Sequence, residues 1–136
     1  MLRFSARCLV DYKKVAKSIK RAEIKSLSHA AAAIRVYAAK SIRQSPRRRP
    51  SAPGSPPHTR KGALRRSILY ALLEENGTQT AIVGPSFDLI GLTGKTHEFG
   101  GRYKGAEYPA RPFMGPALSV IANRLPEFFK GSVQDN

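Results

Sequence analysis

The side chains best suited to nucleophilic or metal chemistry are three histidines and one cysteine, and their spacing supports neither. His29, His58 and His97 stand far apart in the chain, without the close ligand spacing of a zinc site. Cys8 is the only cysteine, so no internal disulfide can form, and no base is identifiable beside it. No serine occupies a Gly-x-Ser-x-Gly turn. Leu92-Thr-Gly-Lys-Thr96 is close to a phosphate-binding loop, but that loop needs a glycine where Leu89 stands. It also needs a long following helix, which His97-Glu-Phe-Gly-Gly101 cannot supply. No pair among the nine acids stands out for general acid–base work. The sequence therefore predicts no catalytic residue, no metal site and no cofactor.

Cations remain. The 136 residues carry 24 Lys+Arg against 9 Asp+Glu, a net charge of +15. Residues 1–49 hold 14 of the bases and two acids, Asp11 and Glu23. A block of this kind suits a polyanion, either nucleic acid or an acidic protein surface. Lys13, Lys17, Lys20 and Arg21 are the candidate contacts in a predicted helix, with Tyr12, Arg35 and Tyr37 nearby. They would bind phosphates without sequence preference and with strong salt dependence. A solvated helix face has the same composition. Arg47, Arg48 and Arg49 form a second cluster, readable as a phosphate or acidic-surface contact or as a solvated linker run. No RRM aromatic box, KH loop or zinc finger accompanies them.

These residues must be positioned by elements whose pattern is legible. Residues 11–44 lack Pro and Gly, and Val15, Ile19, Ala22, Leu27, Ala30, Ile34 and Tyr37 recur at helical steps. The helix they predict is about 50 Å long, so part of it projects or packs on a neighbouring subunit. A break near residues 26–29 is open. Residues 45–60 read as extended Pro/Arg-rich loop, with five prolines between Ser45 and Pro57. A short helix capped by Thr59 follows, then two apolar runs around Asn76-Gly77, which read as a β-hairpin. Residues 87–101 connect, with a helical turn at 95–99, and residues 100–105 read as flexible loop. Pro112 opens a last helix from Phe113 to about Lys130, which Pro126 bends or restarts. The expected fold is one α+β domain over 1–136, its N- and C-terminal helices packed on a small antiparallel sheet formed within residues 61–136. No apolar run is long enough to span a membrane. Met1 to Val10 is basic and serine-containing like a transit peptide, or is simply a lead-in to the helix; it lacks the apolar core of a secretory signal.

The C-terminal third is the most specific. Thr96-His-Glu-Phe-Gly-Gly101, a short basic-glycine loop and Tyr108-Pro-Ala-Arg-Pro-Phe-Met-Gly-Pro-Ala-Leu118 follow in order. This arrangement resembles a signature of small tail-completion and head–tail connector proteins of long-tailed bacteriophages. The upstream Gly62-Ala-Leu-Arg-Arg-Ser-Ile68 is similar to the Gly-x-Leu-x-x-Ser-Ile stretch of that family. The likeness covers roughly residues 55–130, and the basic N-terminal helix agrees with it in general character.

The resemblance implies a noncatalytic virion protein at the neck or head-proximal tail end, made in the host cytoplasm. It implies a homo-oligomeric ring joined to other neck, connector and tail proteins, with packaged DNA in its channel. The alternative is a free, non-specific nucleic-acid-binding protein acting through its basic helix. Physically, Pro109 and Pro112 stiffen the entry to the last helix and aim Phe113 at the core. Arg111 on that strut is expected to pair with Glu98 or with a neighbour's acid, unless the whole run is purely architectural.

Overall fold

The computed structural model describes residues 11–45 and 49–132. The readings of Met1 to Val10, of Cys8 and of Arg47 and Arg48 lie outside those residues. The fold is α+β, and it begins with helix α1, Tyr12–Ser41, which is continuous through residues 26–29. Asp11 caps it: its Oδ1 accepts the amides of Lys13 and Lys14, both at 3.1 Å.

The helix stops three residues short of the expected 44. Ile42 turns to extended backbone and is completely buried, which frees Arg43–Gln44 (β1) to pair in parallel with His58–Thr59 (β2). The Pro-rich stretch is thus clamped at both ends rather than hanging free. Helix α2, Ala63–Ser67, comes next, with Gly62 rather than Thr59 at its N-cap. Thr59 still serves it, since its Oγ1 accepts the Gly62 amide at 3.1 Å.

The expected hairpin is present. Strands β3, Ile68–Glu75, and β4, Thr78–Pro85, pair antiparallel about Asn76 and Gly77, both with positive φ. That is the turn an Asn-Gly pair favours between right-twisted strands. Two short helices make up most of the connector: α3, Phe87–Ile90, and α4, Thr93–Phe99, which contains the expected turn at 95–99. Residues 100–105 are not loose. Gly101–Tyr103 (β5) and Ala106–Tyr108 (β6) form a second hairpin turning on Lys104 and Gly105, again both at positive φ. The basic-glycine composition is hairpin-turn chemistry, which three-residue strands are too short to announce. Among the described residues the strands therefore make three separate two-stranded ladders, one of them parallel and two antiparallel.

The last helix is two. Helix α5, Met114–Ala122, is followed by a restart at α6, Leu125–Phe129, with Pro126 in its first turn. The core joins Ile34, Ala38 and Ile42 of the α1 segment to Leu64, Ile68, Phe113, Ala117 and Ile121. Phe113 is almost fully buried, as its strut requires.

The apolar stripe of α1 is only half used. Ala30 and Ile34 are buried, joined by Ser26, Ala31 and Ala38, whereas Tyr37 is 41% exposed. Val15 and Ile19 are also exposed, because residues 11–21 run beyond the body that covers the rest of the helix. Lys20 marks the last hold: its Nζ lies 2.7 Å from Glu74 Oε1 near the tip of the β3–β4 hairpin.

Candidate functional site

The joint between α4 and α5 brings together the residues that carry the resemblance. Glu98, in the last turn of α4, turns its carboxylate onto the start of α5. Its Oε2 accepts the amides of Phe113 and Met114 at 2.8 and 2.9 Å, and its Oε1 accepts that of Gly115 at 2.8 Å. The first amides of any helix lack partners within it. Here Glu98 takes three of them, and the fourth position is Pro116, which has no N–H. A carboxylate at this end also meets the positive pole of the helix dipole.

Arg111 does not pair with Glu98. It is buried, and its Nε donates to the carbonyl of Ser51 at 2.9 Å, sixty residues away in the chain. Its amide donates to the His97 carbonyl at 2.6 Å. The cause is simple: the Glu98 carboxylate is taken up by three backbone donors, and Arg111 is turned toward the Pro-rich segment. A second link runs beside it, from the Gly54 amide to the Ala110 carbonyl at 2.8 Å. Gly100 closes the joint. Its φ is +69°, and a Cβ there would lie 2.8 Å from the Ala110 nitrogen and 2.9 Å from the Tyr108 oxygen. His97 is half-buried within the joint. Burial pushes its pKa below the ordinary value, and the nearby Arg111 guanidinium adds to the effect.

The Gly-Lys-Thr segment is helical, not a phosphate loop. It lies within Thr93–Phe99, and Gly94 is buried against Pro85. Among the described residues no three His, Cys, Asp or Glu side chains gather so as to hold a metal ion.

The basic candidates occupy a different element. Lys13, Lys17, Lys20 and Arg21 are exposed on α1. Lys20 is committed to Glu74, whose carboxyl is held below the usual range by hydrogen bonds, first from Lys20 and then from Gln79. Of the arginine run, Arg49 is exposed, and its carbonyl lies 3.3 Å from His58 Nδ1. Lys13, Lys17, Arg21 and Lys25 recur every four residues, so they form one slowly turning row about 18 Å long. No described helix is long and apolar enough to cross a membrane.

An apolar groove of about 770 Å³ escaped the sequence reading. Strand β4, helices α3 and α4 and the start of α5 enclose it, and Phe113 and Ile34 contribute to its lining. Ile82, Phe87, Leu92, Phe99 and Leu118 line it and are each more than half exposed. The available signal was the number of large apolar residues in a stretch with no long element to absorb them. Comparison with protein-family models, curated proteins and solved structures finds no match.

Proposed function

We propose that this chain is a noncatalytic structural protein of a tailed bacteriophage. It assembles with copies of itself into a ring at the neck or head-proximal end of the tail, and joins head to tail around the DNA channel. The observation that carries this reading is the joint. Glu98, Gly100, Ala110, Arg111 and Phe113, the residues that resemble the connector family's signature, all act on the fold itself. A conformation fixed this firmly suits a protein whose work is to present surfaces to neighbours. Its partners on this reading are copies of itself and other neck, connector and tail proteins.

Density-gradient fractionation of a lysate producing the chain in its native context tests this, with mass spectrometry beside particle counts. Co-migration with tailed particles at a fixed low copy number is expected. Absence from particles overturns the reading.

The cationic row on α1 favours a second reading, non-specific nucleic-acid binding. Its four cations are exposed along one helix, where each could neutralise a phosphate. The two readings are compatible if the row faces the channel.

A further inference from the structure

We propose that Arg111 and Ser51 form a buried site for one small tetrahedral oxyanion of the phosphate class, between the Pro-rich segment and the strut that enters α5. The inference goes beyond the ring reading and does not depend on it.

Arg111 is only 9% exposed, and its guanidinium carries a permanent charge and five donor N–H groups. One of these, on Nε, meets the Ser51 carbonyl at 2.9 Å. Among the described residues no carboxylate pairs with Arg111 and no acceptor takes its Nη groups. Glu98, the acid of the joint, is taken up by three backbone amides. A charge buried to this degree is normally paired, because burial strips it of water.

Ser51 is an independent observation. It is 8% exposed, and its Oγ is buried without a hydrogen-bond partner. Buried hydroxyls are nearly always partnered, by protein, water or an ion. The carbonyl of this same residue meets Arg111, so the hydroxyl lies within one residue's span of that contact. A forked cation and a hydroxyl thus lack partners at one crossing of the chain.

Nε is committed to a neutral carbonyl, which leaves the Nη1–Nη2 edge as the fork. Such an edge holds two oxygens of an oxyanion side by side, and the Ser51 hydroxyl supplies a third donor. Three donors suit a phosphate better than the two oxygens of a carboxylate. The half-buried His97 senses the same cation: burial first, and then Arg111, lowers its pKa. With so little of the arginine exposed, the ligand is a small ion rather than a phosphate carried within a nucleic-acid backbone. Once bound, it strengthens the crossing that the Ser51–Arg111 and Gly54–Ala110 links already make.

A titration of the full chain with inorganic phosphate tests the site, at constant pH and ionic strength. The Arg111 Nε–H and His97 ring signals are followed by NMR, and saturable one-site shifts are expected. Ser51→Ala keeps the backbone carbonyl that Arg111 needs and loses only the hydroxyl; it should weaken binding about tenfold, the worth of one hydrogen bond to a charged group. Arg111→Lys keeps the charge without the fork and should abolish saturation over the same range. Lys17→Gln, on the α1 row, should bind as the wild type does. Wild-type shifts that never saturate overturn the proposal, since water then meets these donors. Unchanged affinity in Ser51→Ala overturns it as well, as does loss of binding in Lys17→Gln. Acetate that saturates as tightly as phosphate overturns the tetrahedral class. Duplex DNA that moves these signals where free phosphate does not overturns the assignment to a small ion. The ring reading is judged separately, by particle fractionation.

Discussion

Glu98 and Gly115 are fitted to each other across the joint: Glu98 Oε1 accepts the Gly115 amide at 2.8 Å, and a Cβ at 115 would stand 3.1 Å from the same oxygen. Removing the carboxylate frees three helix amides at once. Glu98→Ala is therefore expected to lower unfolding stability by about 2–4 kcal/mol, read from urea midpoints. Gly115→Ala should separate two effects. In the Glu98→Ala background it gains helix propensity of about 0.5–1 kcal/mol. In the wild type the crowded carboxylate offsets that gain, and a double-mutant cycle measures the difference.

Gly100→Ala faces both a left-handed backbone and backbone atoms within 3 Å. It should cost about 2 kcal/mol or more, because strain of about 1–2 kcal/mol comes before any shift of the neighbouring chain. Gly101→Ala, at φ +109° but in open space, should show the strain without the clash. Thermal unfolding of the pair tests this, and equal losses would show that the close approach to Ala110 contributes nothing.

The hairpin at Asn76-Gly77, the prolines that aim Phe113 and the long helix were all legible because each rests on local chemistry. The second hairpin was not, since Lys104 reaches positive φ without being a glycine. The Glu98 cap and the Arg111–Ser51 link join residues fifteen to sixty positions apart, which no local pattern encodes. The apolar stripe was visible and its length implied a projecting part, yet periodicity says nothing about which end the body leaves uncovered, so it does not set Val15 and Ile19 apart from Ala30 and Ile34.

His97 gives the joint a pH dependence of definite sign. Its folded pKa lies below that of the unfolded chain, so the unfolded state takes up the proton first as pH falls. Stability from this residue is complete above about pH 6.5 and declines as pH drops below that value. Urea midpoints at pH 7.5 and 5.5 should differ more for the wild type than for His97→Gln. Equal differences would remove His97 from the account.

The cationic row predicts a salt slope. If Lys13, Lys17, Arg21 and Lys25 each neutralise one phosphate, log K for duplex DNA should fall against log salt with a slope of about −3.6. Lys17→Gln should reduce the slope by about 0.9 with little change between sequences. A flat response excludes phosphate binding by this face.

The two links between the Pro-rich segment and the strut that enters α5 have a consequence for folding kinetics. Closing a sixty-residue loop from Ser51 to Arg111 costs about 3.6 kcal/mol of chain entropy beyond a constant. That cost is met once, because Gly54 and Ala110 lie within three residues of the same crossing. The first link to form thus makes the second nearly local. This non-local closure is expected to form late and to slow folding, after the local contacts of α1 and the β3–β4 hairpin. Arg111→Ala, which removes the Ser51 link, should then speed native-state hydrogen exchange of the Gly54 amide, which makes the other.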